Sequence, residues 1–163
     1  MKKYLKYAGI CSLVLAAVGF ILMMFTDAVI VGSGNFQIVY SGQNVIFGQS
    51  GKLISIKPAP LALIGWILAI VGLAIVLCGI ILPLLKVKAF TRFAGLLNLV
   101  AVICFAIAGV FMFIVVPSFF AANGSEVPGN ASIGAGWVIG GILFIASGVV
   151  AILPAAMDFT SKK

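Results

Sequence analysis

Histidine is absent from this chain, and carboxylates nearly so: Asp27, Glu126 and Asp158 are the only three in 163 residues. Acid–base chemistry near neutral pH usually rests on histidine or on carboxylates that meet in space. Asp27 and Glu126 fall in segments read below as lying on one side of a membrane, and Asp158 on the other. A zinc site built on His/Cys clusters has no histidine to use, and calcium wants more oxygen ligands than two carboxylates supply. The inventory points away from an enzyme, and neither a metal nor a cofactor is expected.

Cysteine is scarce as well. Cys11, Cys78 and Cys104 each sit inside an apolar run, so no extracellular disulfide framework is available. Cys11 has only ten residues before it, too few for a lipoprotein-type leader. Charge is the third scarcity, at 8% of residues against roughly a quarter in a soluble domain. What charge there is leans one way, giving a net +7. A nucleic-acid reading needs a basic face on a water-exposed domain, and none is present, so no nucleic-acid partner is expected.

Apolar residues make up 64% of the chain, and the mean hydropathy is +1.34. A core this size cannot hide so much apolar surface from water, so the solvent for most of it must be lipid. A bilayer core of about 30 Å needs about 20 apolar helical residues. Four runs qualify, at about 7–25, 60–85, 93–116 and 133–157. The first also resembles a signal peptide, but it is too long and lacks a small-x-small cleavage site, so a retained helix is expected. The fold class expected is an all-α integral membrane protein: a four-transmembrane-helix bundle of two tandem hairpins, in one membrane domain.

Lysine and arginine set the orientation. Lys2, Lys3, Lys6, Lys86, Lys88, Arg92, Lys162 and Lys163 fall on one side, with only Lys52 and Lys57 on the other. The positive-inside rule puts both termini and the 86–92 loop in the cytoplasm of a cell membrane. The "MKK" opening reads as bacterial. Tyr4, Tyr7, Phe90 and Phe93 form an inner aromatic belt, with Trp66 and Trp137 near an outer one. Two segments then face outside. Residues 26–59 carry "NFQIVY", "NVIFG" and "KLISIK" between turn signals, which predicts a small extracellular β-sheet from the first outer loop. Residues 117–132 read as an irregular loop. Its two sequons, at Asn123 and Asn130, are short enough to arise by chance.

"KYAGICSLV" (6–14) returns as "RFAGLLNLV" (92–100), an offset of 86; "GW" (65–66) and "ILP" (81–83) return at 136–137 and 152–154, an offset of 71. The chain reads as a hairpin written twice, with a β-rich insertion in the first copy, as in parallel-repeat membrane folds. Ser12 and Asn98 occupy equivalent repeat positions and are expected to make interhelical hydrogen bonds. Gly65, Gly72 and Gly79 fall seven apart, as do Gly134, Gly141 and Gly148, and Gly136 and Gly140 form a GxxxG pair. Small residues at such spacing let helices approach closely, and an internal packing seam is the expected use. The two stripes match at an offset of 69, which conflicts with the 71 of the end markers.

The outer strands offer the candidate contact surface. Phe36, Ile38 and Tyr40 share a face by alternation, and Val45 and Phe47 form a second apolar set. An exposed edge or apolar patch invites a partner. Four helices, cytoplasmic termini, a long strand-forming first outer loop and a short second one resemble the claudin-type tetraspan architecture. The resemblance covers the whole chain in topology. Residues 26–59 contain neither tryptophan nor cysteine, so the family's Trp-Gly-Leu-Trp and paired-cysteine signature is missing. It implies lateral assembly or service as an auxiliary subunit through the outer sheet.

The function expected is therefore a non-enzymatic accessory or scaffold subunit that makes its contacts through the outer sheet and a glycine-rich helix face. Membrane lipid surrounds it, and its partner is another membrane protein or a further copy of itself. The alternatives are a small oligomeric channel or carrier, and a lipid-handling protein.

Overall fold

A computed structural model describes residues 2–34, 36–50, 55–84 and 88–160. Lys52 and most of the third expected strand, Leu85 at the end of the second expected span, and Lys86, Lys162 and Lys163 lie outside these residues. Along the chain run α1 (Lys2–Phe25), β1 (Asp27–Ser33), β2 (Phe36–Ser41), α2 (Gly42–Phe47), β3 (Gln49–Ser50) and β4 (Ser55–Ile56). Then come α3 (Pro60–Leu84), α4 (Lys88–Phe113), α5 (Val115–Ala122), β5 (Ala131–Ile133) and α6 (Ala135–Thr160).

Four helices, α1, α3, α4 and α6, each hold an apolar stretch long enough to cross a membrane. They form a ring in which α4 packs on α6 and α3, and α1 packs on α6 and, less extensively, α3. The helices are apolar on every side, as bilayer-spanning helices are. Even in α6, the most enclosed, only 39% of the apolar stretch is buried, and in α1 only 22%. Val14, Ile21, Ile67, Ile103, Ile142 and Val149 all face outward. Inside the ring stand Met23, Phe105, Met112, Trp137 and Phe144, all fully or almost fully buried. Phe105 and Phe144 stack with centroids 6.0 Å apart.

The third helix is broken rather than ended. Pro117 has no amide hydrogen to give the carbonyl of Phe113, four residues back, and its ring crowds that carbonyl. The chain therefore leaves helix at Ile114 (φ −104, ψ 18) and resumes as α5. The expected irregular loop at 117–132 is thus corrected: it holds most of a helix and a strand.

The sheet is also arranged differently from expectation. A three-stranded antiparallel sheet has the order β2-β1-β5, so its central strand is "DAVIVGS" and one edge comes from the second connection. The run at 27–33 lies in the outer segment 26–59 but outside the three stretches expected there as strands. The β1–β2 hairpin pairs Ser33 with Phe36, leaving a two-residue loop. Gly34 at φ +62 supplies the positive dihedral that primed hairpin turns require.

"NVIFG" does not form a strand. Residues 42–47 are α2, held by caps at both ends. The Ser41 hydroxyl accepts from the Asn44 amide at 3.4 Å, and Gly48, at φ +76, donates to the Asn44 carbonyl at 3.0 Å. Helical spacing sends Val45 and Ile46 into the core, where both are fully buried. Local capping and burial together outweigh the β-propensity of these residues.

Candidate functional site

The sheet end of the bundle carries the exposed apolar side chains that sequence marked out, on a scaffold joined at many points. Thr26 and Gly42 fix the exit from α1. The Thr26 hydroxyl donates to the Leu22 carbonyl at 2.6 Å, and the Gly42 amide to the Thr26 carbonyl at 2.9 Å. A side chain on Gly42 would run into the Met23 carbonyl, and one on Gly134 into that of Asp27. The Gly134 amide donates to Ala28 at 3.1 Å, and the Ala59 amide to Val45 at 2.8 Å.

Two polar side chains of α5 and its end join the two connections. Ser118 accepts the Leu61 amide at 3.3 Å, satisfying one of the free donors at the start of α3. Asn123 grips the backbone of Lys57 on both sides: its Oδ1 accepts the Lys57 amide at 2.8 Å and its Nδ2 donates to the Lys57 carbonyl at 3.3 Å. The same Nδ2 donates to Phe119 at 2.9 Å. Both amide hydrogens of the first sequon asparagine are thus engaged. Every one of these side chains bonds backbone, so this end is built for rigidity.

The expected contact residues divide on this scaffold. Phe36 is 89% and Ile38 61% exposed, and Val39, on the opposite face of the strand, is 44% exposed. Strand β2 is an edge of the sheet and shows apolar side chains on both faces. Phe47, 48% exposed, packs edge-to-face on Trp66 at 5.0 Å. Tyr40 and Val45 are not available to a partner. Tyr40 is half-buried with its ring 4.8 Å from that of Phe119, and Val45 is core. The alternation was right, but α5 covers the base of the strand and leaves the tip open. Val39 was missed because it lies on the face opposite the chosen one; an edge strand exposes both.

The glycines are packing positions within the chain. A methyl on Gly65 would stand 3.4 Å from Phe111, one on Gly72 2.6 Å from Phe105, and one on Gly79 3.4 Å from Asn98, so this stripe lies along α4. Gly141 and Gly148 also face α4, against the carbonyls of Gly109 and Val102. Gly134 lies outside the helices, over Asp27. Gly136 faces Thr26, just past the end of α1, and Gly140 sits between Met112 of α4 and Gly19 of α1.

Of the two polar residues of the spans, Ser12 makes an interhelical hydrogen bond, to Ser147, and both serines are fully buried. Ser147 Oγ donates to the Ser12 carbonyl at 2.8 Å, Ser12 Oγ donates to the Ser147 carbonyl at 3.0 Å, and the hydroxyls lie 2.9 Å apart. Asn98 is half-buried opposite Gly79 and has no side-chain hydrogen bond among the described residues. Trp137 is no interfacial belt residue either, for it is fully buried, and Trp66 is half-enclosed between Phe20 and Phe47. No family model and no curated protein matches the chain.

Proposed function

We propose that the protein is an integral membrane accessory or scaffold subunit, with its basic end in the cytoplasm and its sheet outside the cell membrane. It acts through protein contacts at the tip of the sheet. The outward-facing apolar side chains on all four long helices support the membrane setting, and the lysine and arginine bias supports the orientation. The observation that carries the contact role is the β2 edge. Phe36, Ile38 and Val39 stand exposed on a hairpin whose base is tied to both connections and to α5. Open strand edges with apolar side chains template pairing unless something covers them, and a rigid base lowers the ordering cost of docking. The claudin-type resemblance adds lateral assembly to this reading. A channel within one copy has little room, because Phe105, Phe144, Met112 and Trp137 fill the ring.

Photo-crosslinking tests the proposal. A benzoylphenylalanine in place of Phe36 or Ile38 should trap one protein species of reproducible mass in native membranes. The same probe at Gln43, exposed on α2, should not. A smear identical at all three positions, or no adduct, would refute it.

A further inference from the structure

Asn123 is the only one of the five asparagines that is followed by glycine. That pair favours a reaction of the chain with itself. The glycine nitrogen can attack the side-chain amide carbon, because no Cβ hinders its approach and the glycine backbone turns freely. Here both reactants are tied down. Asn123 caps the end of α5, and its side-chain amide makes three hydrogen bonds: Oδ1 accepts the Lys57 amide, and Nδ2 donates to the carbonyls of Lys57 and Phe119. The attacking nitrogen belongs to Gly124, at φ +68. Its N–H donates to the Ala121 carbonyl at 3.3 Å, and that of Ser125 donates to Phe120 at 3.1 Å. These two bonds are the paired closure of a helix end on a left-handed glycine. The surroundings are open to water. Gly124 and Ser125 are exposed, and no described atom lies within 4 Å of where a Gly124 Cβ would stand.

We infer that Asn123–Gly124 is a self-modification site held in check by its clasp on Lys57. When the last turn of α5 frays and the clasp opens, the Gly124 nitrogen gives its proton to solvent base and attacks Asn123 Cγ. The new N–Cγ bond closes a five-membered succinimide, the Cγ–Nδ2 bond breaks, and the side-chain nitrogen leaves as ammonia. Water then adds to either ring carbonyl and opens the ring to aspartate or isoaspartate. One water is consumed and one ammonia released, with nothing oxidised or reduced. The opening step is within reach because α5 has eight residues and is cut off from α4 at Ile114, and so short a helix has little stability of its own. The product cannot restore the clasp. An ionised carboxylate only accepts hydrogen bonds, so the carbonyls of Lys57 and Phe119 lose their donor and face a negative charge. Isoaspartate also adds a carbon to the backbone just past α5. The link that Asn123 makes between the two connections is then lost for good. This inference does not depend on the accessory role, since it needs only the chain's own groups and water.

Peptide mass spectrometry of the full chain tests it, after ageing at mildly alkaline pH either folded in mild detergent or unfolded in guanidinium chloride. The expected result is conversion of Asn123 to a mixture of aspartate and isoaspartate, faster as pH rises. It should run about 100-fold slower in the folded chain, as three hydrogen bonds of ordinary net strength predict. Lys57→Pro removes the amide that donates to Oδ1. It should speed the folded reaction about five-fold, as the loss of one such bond predicts, and leave the unfolded rate unchanged. Circular dichroism shows whether that variant keeps its helices; if it does not, the folded and unfolded rates of the native chain decide alone. Equal rates in the two states overturn the inference, as does conversion without isoaspartate, which bypasses the ring. A folded Lys57→Pro variant that reacts no faster overturns it as well, since the clasp would then restrain nothing.

Discussion

Gly72 and Gly79 share one stripe on one helix, yet alanine at the two positions should have opposite effects. A methyl on Gly72 would stand 2.6, 2.9 and 3.0 Å from three atoms of the Phe105 ring. Relaxed carbon–carbon contact lies near 3.5–4.0 Å, so the ring must retreat by about 1 Å. It has nowhere to go: Phe105 is fully buried, and Phe144, also fully buried, stacks on it. Overpacking of this kind costs about 1–3 kcal/mol. Alanine recovers up to about 1 kcal/mol of helix propensity over glycine. The net for Gly72→Ala is then a loss of about 1–2 kcal/mol, from the same two effects. At Gly79 the methyl meets only the Asn98 amide oxygen, at 3.4 Å, so the propensity gain dominates and Gly79→Ala should be neutral or mildly stabilising.

Equilibrium unfolding in mixed micelles, followed by far-ultraviolet circular dichroism, measures both. The double-mutant cycle with Phe105→Leu isolates the clash. Phe105→Leu removes the ring, so adding Gly72→Ala to it should cost nothing further, a coupling of about 1–2 kcal/mol. If Gly72→Ala proves as harmless as Gly79→Ala, or if the coupling vanishes, the close approach of α3 to Phe105 is wrong.

Two further predictions concern hydrogen bonds. When either member of the Ser12–Ser147 pair is changed to alanine, the remaining hydroxyl keeps a backbone carbonyl as acceptor, at 3.0 or 2.8 Å. Each single change should therefore cost about 0.6–1 kcal/mol, and the double change should be additive within about 0.5 kcal/mol; coupling above 1 kcal/mol measured by the same unfolding assay contradicts this. At the sheet end, Asn123→Ala frees the Lys57 amide. Its hydrogen exchange should accelerate about five-fold, the worth of one hydrogen bond of about 1 kcal/mol, while Ala59, bonded to Val45 instead, keeps its rate.

The helices were legible because a bilayer-spanning helix needs only length and apolarity, and neither depends on what it packs against. The sheet was legible in kind but not in membership. "DAVIVG" and the apolar span before it use the same residues, so only the pairing of β1 with β2 and β5 separates strand from helix. "NVIFG" favours a strand by propensity, and the signal against it was short: a serine at the N-cap and a glycine just past the last turn. Pro117 was visible, but it was read as ending the third span, not as a hinge before Phe119 and Phe120. Phe36 and Ile38 were found by alternation. Tyr40 is covered by Phe119 of α5, a neighbour 79 residues away that no local pattern announces. The Ser12–Ser147 bond was equally hidden, since Ser12 was conspicuous but nothing in its helix names its partner.

The competing registers of the internal resemblance are separated by which helix each glycine meets. In the ring, the face of α3 toward α4 corresponds to the face of α6 toward α1. Gly65 meets α4, and Gly136, at the offset of 71 marked by "GW", meets Thr26, just past the end of α1. The 69-residue offset fails this test, because Gly72 and Gly79 on α3 and Gly141 and Gly148 on α6 all face α4, which no twofold exchange of hairpins can produce. Ser12 and Asn98 also fit the corresponding seams. Ser12 opposes Ser147 across α1 and α6, while Asn98 opposes Gly79 across α4 and α3. The serine pair closes its bonds on itself. Asn98 faces a glycine with no side chain to answer it and has no side-chain hydrogen bond among the described residues.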